Sequence, residues 1–95
     1  MKKSYWLYIL SSKSGTLYVG VTSNLVKRMF QHKQELIEGF SKKYGCKDLV
    51  YFEEYQEVSL AIAREKQIKN WRREKKENII RELNPSWRDL SLNIT

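Results

Sequence analysis

Two short runs, YWLYIL at 5–10 and TLYVGV at 16–21, consist almost wholly of aromatic, aliphatic and β-branched side chains, with SSKSG between them. Runs of this kind joined by a Ser/Gly segment predict an antiparallel hairpin. Setting Tyr8 opposite Tyr18 centres the loop on Lys13 and puts both phenols on one face. The hydrophobic period then lengthens. Thr22 and Ser23 are suited to cap a helix, and NLVKRMFQHKQELIEG predicts one ending near Gly39, with Leu25, Val26, Met29 and Phe30 as its apolar stripe. At about 100° per residue, His32 falls about 90° from the centre of that stripe and Arg28 about 130°. His32 is therefore expected at the core margin, with Arg28 nearer solvent on the same side.

Residues 39–48 (GFSKKYGCKD) read as a basic loop and LVYFEEY at 49–55 as a third strand. Ser59 is suited to cap a second helix over LAIAREKQIKNW, where Leu60, Ala61, Ile68 and Trp71 share a face. Glu65 borders that face, and Arg64 lies nearer its middle, either buried or with its charge reaching out to water. EKKENIIREL at 74–83 predicts a third helix, stopped by Asn84-Pro85, after which Trp87 can fold back on the core. The pattern is α+β: a small three-stranded antiparallel sheet with flanking helices. Ninety-five residues hold one core, so a single domain over 1–83 is expected, with a C-terminal tail over 84–95 packing on it.

Charge adds the first functional direction. Eighteen Lys and Arg against eleven Asp and Glu give a net charge of +7, and a small basic domain attracts polyanions, nucleic acid above all. Between Arg64 and Lys76, seven basic residues stand against Glu65 and Glu74. Such a run is often only a solvated helix face, but its excess of one sign suits a phosphate-facing surface. The candidate contacts are Lys27, Lys42, Lys43, Lys66, Lys69, Arg72 and Arg73. Cys46 is the one cysteine and His32 the one histidine. An internal disulfide is excluded and a zinc site disfavoured. The apolar run after Met1-Lys2-Lys3 is too short for a signal-peptide core or a membrane span, so a soluble, cytoplasmic protein is expected.

Taken together these residues resemble the GIY-YIG nucleases. Trp6-Leu7-Tyr8 stands for the first motif, matching in its tyrosine, and Tyr18-Val19-Gly20 for the second, matching in tyrosine and glycine. Tyr18 follows Tyr8 by ten positions, Arg28 follows Tyr18 by ten, and His32 follows Arg28 by four, spacings the family uses. Glu65 in AREKQIKNW corresponds to the acidic residue on the family's later helix. The resemblance runs from about Tyr5 to Leu83 and is strongest to compact single-domain bacterial members, excision-nuclease-subunit-like proteins of unknown role, with DNA repair as the expected setting. For the family's late asparagine, Asn70, Asn78 and Asn84 compete, and Asn78 is favoured by its distance from Glu65.

The resemblance implies an endonuclease hydrolysing DNA phosphodiesters with one divalent metal, Mg²⁺ or Mn²⁺, held by Glu65. One carboxylate plus water and substrate phosphate suits Mg²⁺. Arg28 can offer a phosphate two parallel hydrogen bonds. Tyr8 or Tyr18 would orient or deprotonate the water, and His32 could relay that proton or hold a phenol; the choice among them stays open. Gly20 would let the following helix or the substrate approach the sheet. Singly, each residue has an ordinary structural reading: packing tyrosines, a satisfied histidine, a solvated arginine, and Glu65 paired with Lys69 one turn on. Their order and spacing together favour catalysis. So small a domain has few elements for base readout, so recognition is expected to follow DNA structure rather than sequence. DNA is expected over RNA, a partner protein could supply targeting, and the alternative is a non-catalytic nucleic-acid-binding module that retains the fold.

Overall fold

A computed structural model describes residues 3–94; the outermost positions of the two expected segments, 1–2 and 95, lie outside them. The strands are β1 (Tyr5–Ser11), β2 (Leu17–Thr22) and β3 (Asp48–Tyr55), in the order β2-β1-β3, with β1 antiparallel to both neighbours. The helices are α1 (Leu25–Lys33), α2 (Phe40–Lys43), α3 (Val58–Lys69) and α4 (Arg73–Leu83), followed by a 3-10 turn over Leu90–Asn93. This is the expected three-stranded antiparallel α+β fold. Among the described residues no helix is long and apolar enough to cross a membrane.

The central strand explains the layering. Every residue of β1 from Leu7 to Ser11 is buried, because the sheet is covered on both faces, and a strand covered twice reads as a continuous apolar run. Tyr8 and Leu10 pack with Leu25 and Met29 of α1, Cys46, Leu49 and Leu90. Leu7 and Ile9 point the other way, with Val19 and Val50, onto Ile68 of α3 and Ile80 of α4. Thus α1 covers one face of the sheet, and α3 and α4 the other.

The hairpin register differs from the expected one. Tyr8 pairs with Gly20, and Tyr18 with Leu10, which moves the loop centre from Lys13 to Ser14. The Ser12 N–H donates to the Thr16 carbonyl at 2.9 Å, and Ser12 Oγ accepts from the Thr16 N–H at 2.9 Å. Gly15 at φ 92° makes the turn, a backbone state that suits glycine. Tyr8 and Tyr18 still share a face, now as diagonal neighbours.

Helix α1 is shorter and rotated relative to its expected form. Its cap is Asn24, whose side chain accepts from the Lys27 N–H at 3.0 Å, while Thr22 Oγ1 accepts from the Asn24 N–H. The helix stops at Lys33, not near Gly39. Glu35 enters the left-handed region at φ 56°, its N–H donates to the His32 carbonyl, and the Leu36 N–H donates to the Gln31 carbonyl. That is a Schellman ending, built here on a residue other than glycine. The buried stripe is Leu25, Met29 and His32, whereas Val26 and Phe30 are exposed. His32 is interior because its ring nitrogens find partners there, which removes most of the cost of burying it.

The expected basic loop contains α2. In α3 the buried residues are Ala61 and Ile68, the cap position is Glu57, not Ser59, and Leu60 is exposed. Arg64 reaches back to β3, where Glu53 accepts from it at 3.0 Å and also from the hydroxyls of Tyr51 and Tyr55. Beyond α4, buried Asn84 donates to the Val50 and Arg88 carbonyls. Trp87 packs beside Ile80, and Leu90 enters the α1-side core.

Candidate active site

Tyr8 projects from the middle of the sheet and is fully buried. Its ring crosses Gly20 on β2: a Cβ there would stand 2.6 Å from Tyr8 Cζ and 2.6 Å from its hydroxyl oxygen. Gly20 therefore makes room for Tyr8 itself, not for the following helix or a substrate. Tyr8 Oη lies 2.9 Å from His32 Nε2, and His32 Nδ1 lies 3.1 Å from Ser41 Oγ on α2. Tyr18, on the same face and half-buried, sets its ring centroid 6.2 Å from Tyr8 and 5.6 Å from His32. Four elements thus converge: β1, β2, α1 and α2.

Arg28, one turn before His32, is half-buried rather than solvated, and its charge acts on both partners. Burial, and then the nearby Tyr18 phenol, raises Tyr8 above its ordinary value, while Arg28 pulls it the other way. Burial, and then Arg28, pushes His32 down to about 4. Both groups are therefore neutral at pH 7. A neutral imidazole has one N–H and one acceptor nitrogen. Two tautomers satisfy this geometry: Tyr8 donates to Nε2 with Nδ1–H donating to Ser41 Oγ, or Nε2–H donates to Tyr8 Oη with Ser41 donating to Nδ1. Only the first lets Nε2 accept a proton from Tyr8. Toward solvent, Arg28 lines a polar recess of about 280 Å³ with Thr22, Ser23, Asn24, Lys27 and Gln31.

Glu65 is on α3, the helix that covers the opposite face and packs against β1 and β2. Its side chain is 22% exposed and pairs with Lys69 at 3.5 Å. No hydrogen bond or ion pair joins it to Tyr8, Tyr18, Arg28 or His32. Among the described residues no three His, Cys, Asp or Glu side chains gather as a metal-binding group. A lone oxygen donor does not fit zinc, which requires several protein ligands. It does fit Mg²⁺, which keeps most of its waters and takes the rest of its shell from phosphate.

The basic candidates are dispersed. Lys27 stands beside Arg28. Lys42 pairs with Glu38 at 2.8 Å, and Lys43 lies over the Tyr44 ring at 5.4 Å. Lys66 and Arg72 are exposed, and Arg73 pairs with Glu77 at 2.6 Å. Asn78 is exposed and accepts from Arg81, whereas Asn84 holds the turn after α4. Neither asparagine contacts the tyrosine–histidine group. Ser41 and its neighbour Phe40 were not singled out by the sequence. Their only signal is their place in FSKK, a four-residue helix too short to show periodicity.

Comparison with known proteins agrees with this fold. Residues 4–78 match the family model of the GIY-YIG catalytic domain. A UPF0213 protein of Natronomonas pharaonis is 31% identical over 80 residues, covering 84% of this chain and 94% of the relative. One from Staphylococcus saprophyticus is 33% identical over 78 residues, covering 82% and 95%. The solution structure of a UPF0213 protein from Bacillus halodurans superimposes with a TM-score of 0.60 at 23% identity, over 97% of this chain and 98% of that one, which is a likeness of fold. With a catalytic-domain match spanning most of its length, the chain belongs to the GIY-YIG nuclease family.

Proposed function

We propose that this protein is a divalent-metal-dependent endonuclease that hydrolyses DNA phosphodiester bonds, selecting its substrate by DNA structure rather than sequence. The observation that carries this reading is the buried chain Tyr8–His32–Ser41 with Arg28 and Tyr18 at its mouth. A phenol, an imidazole and an arginine meeting beside a polar recess form the set that proton transfer next to a phosphate needs.

In this reading a backbone phosphate enters the recess beside Lys27 and pairs with Arg28, whose planar fork suits two phosphate oxygens. Pairing offsets the Arg28 charge that helps keep the His32 pKa low, so His32 becomes the better proton acceptor once substrate is bound. Once substrate opens the pocket over the buried Tyr8 hydroxyl, the attacking water gives its proton to Tyr8 Oη while Tyr8 passes its own to His32 Nε2. Tyr8 is neutral before and after, and the proton ends on imidazolium. Tyr18 orients the water from the open side. A Mg²⁺ or Mn²⁺ ion held by Glu65 would supply charge neutralisation at the phosphoryl and leaving oxygens.

Purified protein with Mg²⁺ or Mn²⁺ on labelled single-stranded, duplex and branched DNA tests this, beside Arg28→Ala, Glu65→Ala and Tyr8→Phe. Metal-dependent cutting by wild type, lost in all three, is the expected result. Cutting that survives Glu65→Ala would remove the metal assignment. Salt-sensitive binding without cutting by wild type would leave a binding module on a nuclease fold.

A further inference from the structure

Next to the site lies a cluster of aromatic side chains that the proton relay leaves unused. Phe40 stacks on Tyr18, with centroids 6.3 Å apart and planes 23° from parallel, and Tyr44 continues the series 4.6 Å from Phe40. Both are half out in water, Phe40 at 47% and Tyr44 at 46% exposed. Lys43 sits over the Tyr44 ring, and Lys42 projects from the same short helix. We infer that Phe40 and Tyr44 form a stacking step that receives unpaired nucleobases of the DNA strand running away from the scissile phosphate. This rests on the nuclease reading and adds the substrate feature the site recognises: unpaired nucleotides flanking the cut.

Three features support this occupant over a purely apolar partner. The step begins at Tyr18, inside the candidate active site, so a strand with its phosphate at Arg28 is already beside it. Its rim carries Lys43 over the Tyr44 ring, while Lys42 is paired with Glu38. A cation beside stacked aromatic rings suits a single strand, and proteins hold such strands this way without reading their sequence. Finally, α2 is positioned by the site itself. Ser41 is bonded to His32, and the Ser41 carbonyl accepts from the Cys46 N–H at 2.8 Å. The neighbouring rings are thus fixed relative to Tyr8 and Arg28. Paired bases keep their faces within the duplex stack and cannot use such a step.

The test measures binding in EDTA, so that cleavage plays no part. A single-stranded oligonucleotide carrying 2-aminopurine, the same sequence as a blunt duplex, and the matching RNA strand are titrated against wild type, Phe40→Leu/Tyr44→Leu and Phe40→Trp. Wild type should quench the probe and bind the DNA strand more tightly than the duplex. The double leucine variant should lose quenching and about 5- to 100-fold of single-strand affinity, with duplex affinity within about twofold. Phe40→Trp should retain both. Lys43→Gln should flatten the salt dependence of strand binding by about one phosphate contact. Equal strand affinity in wild type and the double variant, tighter wild-type binding to the blunt duplex, or tighter wild-type binding to the RNA strand would overturn the inference. If quenching is intact but wild type cuts no substrate with metal, the stacking step stands and the nuclease reading fails instead.

Discussion

Mild acidification should destabilise this protein chiefly through one residue. His32 titrates at 6.5 in an unfolded chain and about 4 in the folded one, a gap equivalent to about 3 kcal/mol. The sign follows from which state binds the proton first. Between those values the unfolded chain is protonated and the native one is not, so stability rises with pH across the window and is lost as pH falls. By pH 4.5 about 2 kcal/mol of the His32 contribution should be gone. Arg28, Tyr8, Tyr18 and Ser41 face the ring, and none supplies a carboxylate to stabilise imidazolium. Glu53 and Asp89 are held below their ordinary carboxylate values, and their stabilisation is lost only as pH falls through that lower range. The chain has one histidine, so urea unfolding of wild type and His32→Gln at pH 7 and 4.5 isolates the effect. Wild type should lose about 2 kcal/mol more than the variant over that interval. Equal losses, or an NMR titration of the ring with its midpoint near 6.5, would refute the burial argument.

Gly20→Ala should cost about 1–3 kcal/mol, because the new methyl overlaps the Tyr8 ring, and should abolish cutting; Tyr8→Leu added to it should recover the melting temperature but not activity. Ser41→Ala leaves the Nδ1–H of a buried ring unpaired, so it should destabilise by about 1–3 kcal/mol. Steady-state kinetics should show its kcat lowered about tenfold with KM little changed, and Ser41→Thr should restore both. Glu53→Ala removes the acceptor shared by Tyr51, Tyr55 and Arg64 and should cost about 2 kcal/mol in urea unfolding. Its kcat should be unchanged, since this network lies on the α3 side of the sheet.

What could be read in the chain beforehand was whatever repeats at a fixed period or spacing. The three strands, the sheet type and the helices near 25, 60 and 75 follow from hydrophobic pattern alone. So does the common face of Tyr8 and Tyr18, because a loop shift that preserves parity leaves both on the same side. Boundaries set by single non-repeating interactions were not visible. The Schellman stop at Glu35 uses a residue without the glycine signal that Gly39 offered falsely. Phe30 and Val26 continue an apolar pattern that packing does not use, while a polar His32 takes the buried place. Periodicity ranks side chains by hydrophobicity, and only the fold reveals that an imidazole with two partners can replace a leucine. Ser41 was hidden for the same reason: its importance lies wholly in a contact nine positions back along the chain.

Gly20 shows how closely the site and the fold are tied together. The sequence suggests a glycine needed for outside access, but the volume it leaves is filled by the Tyr8 ring. With Tyr8 lying across that gap, its hydroxyl meets His32, whose other nitrogen meets Ser41. Register, helix rotation and α2 placement must therefore all be correct before the Tyr8–His32–Ser41 chain, and with it the proposed proton path, can form. A slip of one residue in the β1–β2 pairing would send Tyr8 or Tyr18 to the α3 face. The same dependence accounts for a neutral interior in a basic protein. In the proposed reading the charge that would attract a phosphate is kept at the mouth on Arg28 and Lys27, while the groups that would move protons, Tyr8 and His32, stay uncharged behind it. On that reading, a phosphate bound at Arg28 lifts the charge part of the His32 depression and leaves the larger burial part in place, so proton uptake by His32 should accompany phosphate binding and not precede it.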